Sequence, residues 1–375
     1  MIYFDNAATT FPKPMEVAAA LLSGVTQPLG NPGRGVHEAA LFSSDAVFAA
    51  RQALSCLFGV SDERRVVFTK NATEALNTAI FGIVPQNGCV NVVTSVLEHN
   101  SVLRPLFALE RAGRVRLHFF EPAADEQECV RRFLVACPDE VHLLVLTACA
   151  NTTGLLLPIA ELSRIARKRG ARVVVDASQA AGHRNISLSG YGADYLCVPA
   201  HKGLYGVTGL GALLLGEDAP ALKPWLYGGA GFDSERADMP EALPDRLEAG
   251  TLNVHGILAL SAGLRFVEKR GEENLGAHLR ELAAAFREGI SSLGFQIYSP
   301  MESEIVLFNV GDLHSAQVSV FLNERGVCVR AGLHCAPLAH KFLGTSSRGA
   351  VRVSFGAFNT LGEVERTIDL LHELK

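Results

Sequence analysis

Six short, almost uninterrupted apolar runs, separated by stretches of helical periodicity, constrain the fold more than any other feature of the sequence. They lie at 66–68, 90–94, 142–147, 173–175, 195–198 and 212–215. A strand that is apolar on both faces is typical of a parallel sheet covered by helices on both sides. Because the runs alternate with helical patterns, they indicate βαβ units. The sequence therefore predicts an α/β fold with a largely parallel sheet.

The pattern changes near residue 256, which indicates a second domain. Two longer helical stretches, 257–269 and 274–293, lead into short strands and helices, and a helix over 362–374 closes the chain. A length of 375 residues also favours two domains, or one large domain with an appendage. We expect a domain boundary near 255–270.

Composition excludes several classes of protein. Hydrophobic residues make up 48% of the chain and charged residues 19%, so a large core can form and intrinsic disorder is excluded. The 34 basic and 39 acidic residues give a net charge of −5, which argues against nucleic-acid binding. No apolar run approaches the roughly 18 residues of a transmembrane helix, and the start lacks the features of a signal peptide. Eight cysteines without a CxxC pair argue against structural zinc. We expect a reduced, cytoplasmic, globular protein that binds neither nucleic acid nor membranes.

Polar side chains follow the predicted strands at the points where the strands end. In open α/β sheets, ligands bind beyond the carboxyl ends of the strands. Five such segments bring titratable or amide side chains to one edge of the sheet: Thr69-Lys70-Asn71-Ala72-Thr73, Glu98-His99-Asn100, Asn151-Thr152-Thr153, Asp176-Ala177-Ser178-Gln179 and Ala200-His201-Lys202. This convergence predicts an enzyme active site.

A cofactor can be inferred by elimination. A dinucleotide site needs G-x-G-x-x-G directly after a strand, but the glycine cluster at 206–211 has a different spacing and precedes a strand. The sequence has no Walker motif and no His/Asp/Glu metal spacing. The helix start at 71–74 suits a compact phosphate, Asp176 suits a protonated ring nitrogen, and Lys202 suits a Schiff base. These are the three groups by which pyridoxal 5'-phosphate is held, so we expect this cofactor and no metal.

Eight segments, in order along nearly the whole chain, resemble the motifs of one family. They are YFDNAATT at 3–10, NATEALN at 71–77, EHNS at 98–101, VDASQ at 175–179, HKGLYG at 201–206, EAGT at 248–251, RAGLHC at 330–335 and VRVS at 351–354. On these motifs the chain resembles the class V aminotransferase family of fold-type I pyridoxal-phosphate enzymes, and within it the cysteine desulfurases and selenocysteine lyases.

The resemblance implies a large domain with a mostly parallel seven-stranded sheet and a smaller α+β C-terminal domain. It divides the chain into an N-terminal segment, 1–14, near the active site and a cofactor-binding domain, 15–258. The small domain, 259–375, is implied to carry a catalytic cysteine loop.

The resemblance also implies roles for residues around the cofactor. Lys202 is implied to be the Schiff-base lysine, and Asp176 keeps the ring nitrogen protonated. His99 stacks on the ring, and Gln179 bonds the ring hydroxyl. Four residues are implied to bind the phosphate: Ala72, Thr73, His201 and Thr251. Ala72 is implied to do so as part of the helix start. In this family the residue that corresponds to Thr251 reaches in from the partner subunit, so the resemblance implies a homodimer with shared active sites.

On the substrate side, Arg352 resembles the arginine that grips an amino acid carboxylate bidentately, which lysine cannot do. Asn151 is implied to assist it, and Arg330 lines the pocket. Two further residues match a family segment near the entrance and are candidate contacts: Arg34 and His37.

Cys335 decides between the reactions that this family carries out. It lies in a polar, glycine-rich segment, whereas the other seven cysteines are expected to be structural. Its thiolate is implied to accept sulfur. Sixteen residues separate it from Arg352, which resembles the group with a short cysteine loop that tends to need a sulfur-acceptor protein. Arg330 or His334 could raise the thiolate fraction, but we expect little from His334, because adjacent side chains in an extended chain point apart.

We therefore expect a pyridoxal-phosphate-dependent cysteine desulfurase. It converts L-cysteine to L-alanine and leaves the sulfur as a persulfide on Cys335, with Lys202, Cys335 and His99 as catalytic residues. Three alternatives stay open. One is a selenocysteine lyase or other C–S lyase, with selenocysteine as substrate and less need of Cys335. Another is an aminotransferase or epimerase of the same family, and the third is a sulfur-carrier scaffold or regulator without turnover. Pro199-Ala200 replace the family's Ser/Thr-Gly, so one hydroxyl expected at the phosphate is missing.

Overall fold

The structure is a computed structural model that describes residues 1–33, 35–231, 235 and 237–374. Arg34 lies outside the described residues. The strands of the described part are β1 (Ile2–Tyr3), β2 (Val66–Thr69), β3 (Val90–Ser95), β4 (Val115–Phe120), β5 (Leu143–Thr147), β6 (Arg172–Asp176), β7 (Tyr195–Pro199), β8 (Gly211–Leu215), β9 (Gln296–Ile297), β10 (Ile305–Asn309), β11 (Val327–Cys328), β12 (Arg330–Gly332) and β13 (Ala350–Ser354).

The strands alternate with helices through the first two thirds of the chain. The helices are α1 (Met15–Thr26), α2 (Glu38–Phe58), α3 (Ala72–Ile83), α4 (Asn100–Arg111), α5 (Glu126–Ala136), α6 (Ile159–Arg167), α7 (Val254–Arg270), α8 (Glu272–Ser292), α9 (Ser315–Glu324), α10 (Pro337–Phe342) and α11 (Leu361–His372). Within the described ranges, no helix is both long and apolar enough to cross a membrane.

The central sheet has seven strands in the order β2-β8-β7-β6-β5-β3-β4. β8 is antiparallel to both of its neighbours, and the other pairs are parallel. The predicted mostly parallel, seven-stranded sheet is therefore confirmed. Six of its strands fall on the six apolar runs of the sequence.

β4 is the strand that the apolar pattern does not reveal. It lies at the edge of the sheet and pairs only with β3. Its residues are mostly half-buried, and Arg116 is exposed directly after the buried Val115. An edge strand of this kind does not need to be apolar on both faces, so it lacks the signal that marks the central strands.

Successive residues of the central strands enter two different hydrophobic clusters. Leu144 and Val175 pack with residues of α2, α5 and α6 on one face. Leu143 and Val174 pack with residues of α3 and α4 on the other. Because both faces are covered, polar side chains of this sheet can reach solvent or a ligand only beyond the strand ends.

A second, antiparallel sheet forms the C-terminal part in the order β12-β13-β10-β9. Its core contains residues of α8, α9 and α11, and Phe4 from the N-terminal segment packs edge-on against Phe355 at 4.9 Å between ring centres. β1 pairs in parallel with β11, so the start of the chain is tied to this sheet. The predicted smaller α+β part is confirmed. The division into 1–14, 15–258 and 259–375 stays a prediction, and α7 runs through its 258/259 boundary.

A buried ion pair joins α2 to the segment that follows the large sheet. Glu248 accepts hydrogen bonds from Arg51 Nη1 at 2.8 Å and Arg51 Nη2 at 2.6 Å, and from the backbone N–H of Phe68 in β2 at 2.5 Å. The Arg51 guanidinium also lies 4.7 Å from the centre of the Phe68 ring. Both charged side chains are less than a tenth exposed. Removing one partner would leave the other charge buried and unpaired.

We predict that Glu248→Gln lowers the free energy of unfolding by about 3 kcal/mol, because Arg51 loses its charged partner in a dry site. Denaturation by urea, followed by circular dichroism, measures the change. Glu217→Gln, at the exposed turn after β8, is the matched control and should unfold like the parent. A loss below about 1 kcal/mol, the range of exposed ion pairs, would contradict the structural role of this pair.

Candidate active site

A cavity of about 230 Å³ lies beyond the carboxyl ends of β5, β6 and β7. It is also lined by the start of α3 and by residues of β12, β13 and the loop after β12. Eleven of the twelve predicted site residues line it: Ala72, Thr73, His99, Asn151, Asp176, Gln179, His201, Lys202, Arg330, Cys335 and Arg352. The twelfth, Thr251, is exposed and lines a separate open cleft.

One end of the cavity is the first turn of α3. Asn71 caps the helix, since its side chain accepts a hydrogen bond from Glu74 N at 2.9 Å. The next two residues begin the helix, and the N–H groups of a first helical turn have no partner within the helix. Thr73 and His201 flank this end, and Nδ1 of His201 is buried without a hydrogen-bond partner among the described residues. Such an end attracts an anion.

The surroundings of His99 favour the neutral ring, and its hydrogen bonds indicate which nitrogen carries the proton. Burial lowers the pKa of His99, and the charge of Lys202 acts in the same direction, against Asp176. Nδ1 of His99 accepts a hydrogen bond from the backbone N–H of Ser101 at 3.1 Å, because His99 caps α4. The ring proton of the neutral form therefore lies on Nε2.

Asp176 and Gln179 lie at the end of β6 and in the turn that follows it. The Asp176 side chain is 4% exposed and accepts a hydrogen bond from Ser178 N at 2.9 Å. Gln179 donates from Nε2 to the backbone carbonyl of Ala7 at 2.9 Å. The N-terminal segment thus forms one wall of the cavity.

Lys202 follows β7 in a loop that the N-terminal segment clamps. The carbonyl of His201 accepts hydrogen bonds from the backbone N–H of Thr10 at 3.1 Å and from Lys13 Nζ at 2.8 Å. Gly203 packs so closely against the carbonyl of Ala181 that a Cβ atom would clash at 2.1 Å. Burial lowers the pKa of the Lys202 amine to about 8, although the charge of Asp176 opposes this shift.

The small sheet contributes two arginines. Arg352 is almost fully buried on β13, where Nη1 donates to the backbone carbonyl of Asn151 at 2.8 Å and Nη2 donates to Asp5 Oδ1 at 2.9 Å. Its Nε is buried without a partner among the described residues. Arg330, on β12, is half-exposed, and its Nη1 lies 3.8 Å from Asp5 Oδ2.

Cys335 is exposed at the rim of the same cavity, in a strained turn. The φ angles of His334 and Cys335 are +50° and +56°, in the left-handed region that non-glycine residues rarely adopt. Hydrogen bonds hold both carbonyls: Asn151 Nδ2 donates to His334 O at 2.7 Å, and the backbone N–H of Asn100 donates to Cys335 O at 2.7 Å. The large domain therefore fixes the position of the cysteine turn.

The expectation of an extended chain at His334 is wrong, because its φ is +50°. The His334 side chain nevertheless packs against His340 and not against Cys335. Its Nδ1 lies 3.1 Å from His340 Nε2, and His340 Nδ1 lies 2.7 Å from Thr345 Oγ1. Burial lowers the pKa of His334 to about 2 and that of His340 to about 4, so both rings are neutral near pH 7. His334 anchors the turn and supplies no charge to the thiol.

Sequence patterns gave no role to two residues that the structure brings to the site. Asp5 pairs with both arginines, and Ser101 bridges Thr73 and His99: its Oγ lies 2.7 Å from Thr73 Oγ1 and 2.8 Å from His99 Nδ1. Both belong to the segments that resemble the family. Residue spacing alone carries no signal for the contacts of Asp5 with the arginines or of Ser101 with Thr73, because those partners lie on different elements. The candidate entrance residue His37 caps α2 and does not line the cavity.

Comparison with known proteins gives a consistent result along the whole chain. A model of the class V aminotransferase family matches residues 2–367. A probable cysteine desulfurase of Pyrococcus abyssi is 31% identical, with 100% of this chain and 94% of the relative covered. The apo structure of a cysteine desulfurase from Thermococcus onnurineus has a TM-score of 0.89 at 31% identity, covering 100% of this chain and 94% of the other. The cysteine desulfurase CsdA of Escherichia coli has a TM-score of 0.89 at 26% identity, covering 99% and 94%.

We predict that the Lys202 amine in the apo-protein reacts with a small acylating reagent at a rate that rises with pH and has its midpoint at about pH 8. The amine is nucleophilic only after it has lost its proton, and burial favours that neutral form. Mass spectrometry of the Lys202 peptide gives the rate, and the exposed Lys168 in the same digest reports how the reagent itself depends on pH.

Asp176→Asn should move this profile to lower pH, because the charge of Asp176 raises the Lys202 pKa. A Lys202 profile that keeps rising up to pH 10.5, or that Asp176→Asn leaves unchanged, would contradict the electrostatics described for the cavity.

Proposed function

The chain belongs to the class V aminotransferase family, and we propose that it is a pyridoxal-phosphate-dependent cysteine desulfurase. The products are L-alanine and a persulfide on Cys335. One observation carries the proposal: an exposed cysteine lines the same cavity as a half-buried lysine, a buried aspartate and a buried arginine. The relatives described as cysteine desulfurases support it.

Enzymes of this family depend on pyridoxal phosphate, and the cavity fits that group. Polar atoms of three cavity-lining residues are buried without partners among the described residues: His201 Nδ1, Asn151 Oδ1 and Arg352 Nε. A polar ligand would satisfy them, and buried polar atoms without a partner are otherwise costly. The charges also suit it, with a helix N-terminus at one end and an aspartate and a lysine in the cavity.

We assign the cofactor contacts accordingly. Ala72, Thr73 and His201 would hold the phosphate, and Lys202 would supply the amine for the aldehyde. Three residues would hold the ring: Asp176 through its nitrogen, Gln179 through its hydroxyl and His99 through its face. When bound, the cofactor supplies an electron sink for the bonding pair released at the substrate Cα.

Arg352 binds the substrate carboxylate, supported by Asn151 and Arg330. The guanidinium is suited to this because its planar donors match a carboxylate. Burial of Arg352 excludes water from the contact and so strengthens it. Lys202 then takes the proton from Cα, a role that its lowered pKa favours near neutral pH.

Cys335 takes the sulfur. Its thiolate forms a bond to the substrate sulfur, the C–S bond breaks, and its electron pair stays on Cβ, which receives a proton. L-cysteine and the Cys335 thiol thus become L-alanine and a persulfide, without an external oxidant or reductant. This divides a difficult cleavage into easier steps.

The exposed position of Cys335 supports transfer of the sulfur to a second protein, and we propose a sulfur-acceptor protein as partner. The same chemistry requires a free thiol, which favours a reducing compartment such as the cytoplasm. Each of the eight cysteines is free. We also keep the division into segment 1–14 and domains 15–258 and 259–375 as a proposal, with the small domain presenting Cys335 and Arg352 to the cofactor site.

A homodimer with shared sites is proposed from the position of Thr251. Thr251 lies outside the cavity of its own chain, in a cleft with Phe48, Arg51 and Gly229. Phe48, on α2, is 52% exposed in this cleft. A partner subunit would cover this side chain and bring its own Thr251 to the phosphate.

We predict that Cys335→Ala abolishes persulfide formation and lowers L-alanine production from L-cysteine by at least about a hundredfold, because the nucleophile for sulfur is lost. Visible absorption should show the cofactor still bound. Chromatographic determination of alanine with dithiothreitol present measures the rate. Cys89→Ala, at an exposed cysteine outside the cavity, should keep full activity.

An undiminished rate in Cys335→Ala would contradict the desulfurase mechanism. Faster turnover of L-selenocysteine than of L-cysteine in both proteins would instead support a selenocysteine lyase.

We predict that Thr251→Ala weakens pyridoxal phosphate binding about tenfold, because a hydrogen bond to a charged group is lost. A mixed dimer of Thr251→Ala and Lys202→Ala chains, purified through two tags, tests whether sites are shared. One of its two sites would combine an intact lysine with an intact threonine, so absorbance titration should recover parental affinity for half of the sites. If no such sites appear, Thr251 does not act across the interface.

A further inference from the structure

Arg352, the arginine proposed to bind the substrate carboxylate, already has a carboxylate partner within the chain. Its Nη2 donates to Asp5 Oδ1 at 2.9 Å, and Arg330 Nη1 lies 3.8 Å from Asp5 Oδ2. The Arg352 side chain is 3% exposed and that of Asp5 19%. Both arginines line the cavity, whereas Asp5 does not. Asp5 therefore lies behind the arginines and does not occupy the place of a ligand.

The backbone holds Asp5 in register with Arg352. Asp5 forms a parallel bridge with Ser354, two residues beyond Arg352 on β13. Ser354 N donates to Phe4 O at 2.8 Å, and Asn6 N donates to Ser354 O at 3.3 Å. Ala7 N also donates to Ser354 Oγ at 2.8 Å. This local sheet sets the distance between the carboxylate and the guanidinium before any ligand arrives.

The charge of this group matches one carboxylate. Arg352 and Arg330 are both positive, and Asp5 cancels one of the two charges. Arg352, Arg330 and Asp5 together therefore carry one net positive charge, which a single α-carboxylate neutralises. Arg352 Nε, which is buried without a partner among the described residues, remains to receive it. A ligand with a second acidic group would add a negative charge near Asp5, where like charges repel.

We propose that Asp5 is a positioning and specificity-determining residue, which acts through Arg352 and Arg330 and makes the subsite prefer amino acids with one carboxylate over those with a second acidic group on Cβ. The inference rests on the proposed function insofar as the substrate is an amino acid held by Arg352. Asp5 limits the positive charge of the subsite and keeps the Arg352 guanidinium in one orientation.

The test compares two probes, L-alanine and L-aspartate, which differ by one carboxylate. Isothermal titration calorimetry of the holoenzyme gives the dissociation constant of each. In Asp5→Asn, a variant of the same shape without the charge, we expect the affinity for L-aspartate relative to L-alanine to rise about tenfold, since one repulsive charge is removed at short range. Asp5→Glu should keep the parental ratio.

Asp312→Asn is the matched control. Asp312 pairs with Arg348 at 3.2 Å on the surface of the same small domain, so its charge is removed far from the cavity. Its ratio of affinities should equal that of the parent. A purely structural role of Asp5 would weaken both probes alike and leave the ratio unchanged.

A ratio that Asp5→Asn changes by less than about twofold, with L-alanine still bound, overturns the proposal. If Asp5→Asn does not fold, Arg330→Gln provides the opposite test. Loss of one positive charge should lower the relative affinity for L-aspartate several-fold, and no change would also overturn the proposal. Failure of the desulfurase function is seen separately. If Asp5→Asn shows the shifted ratio but the parent enzyme makes no L-alanine from L-cysteine, the function is contradicted and the role of Asp5 remains supported.

Discussion

Burial of the central sheet on both faces is the constraint on which the rest of the structure depends. Because helices cover both sides of β5, β6 and β7, the polar groups that these strands carry are confined to their ends. A carboxyl group that is buried at a strand end is stabilised by hydrogen bonds or by protonation. Glu98 accepts from Ser95 Oγ at 2.6 Å and from Thr147 N at 3.1 Å, and burial raises its pKa to about 8. The charge of Asp176 raises the pKa of both Lys202 and His99, against the lowering by burial and by the nearby arginines.

Contacts between the small sheet and the segments that follow β3 and β5 convert this edge into a cavity. Asn151, from the loop after β5, accepts from Arg352 through its backbone carbonyl and donates to the His334 carbonyl through its side chain. Asn100, at the start of α4, donates to the Cys335 carbonyl. The proposed substrate arginine and the proposed sulfur acceptor are thus both positioned by the large domain. Asn151 has a wider role than assistance to a carboxylate, because it organises both of these partners.

Much of this could be predicted from the sequence, for physical reasons. A strand buried on both faces must be apolar throughout, so the six apolar runs were visible, including the buried edge strand β2, whereas the half-buried edge strand β4 was not. The segments that follow the strands contain eight of the eleven predicted residues of the cavity, and the resemblance to the family supplied the other three, Arg330, Cys335 and Arg352. Asp5 and Ser101 have no predicted role, because the contacts of Asp5 with the arginines and of Ser101 with Thr73 join separate elements. The left-handed turn at His334 and Cys335 was equally invisible, since neither residue favours it and hydrogen bonds from Asn151 and Asn100 hold it. Thr251 lies outside the cavity of its own chain, and its predicted role depends on a second subunit.

The central claim is that Cys335 receives the sulfur of L-cysteine at this cavity. A single-turnover reaction tests it most directly: the holoenzyme is mixed with one equivalent of L-cysteine without reductant, and the Cys335 peptide and free alanine are quantified from the same sample. The account predicts one additional sulfur atom on Cys335 for each L-alanine released. Release of L-alanine with the added sulfur on another cysteine, or with free sulfide and an unmodified Cys335, would contradict it.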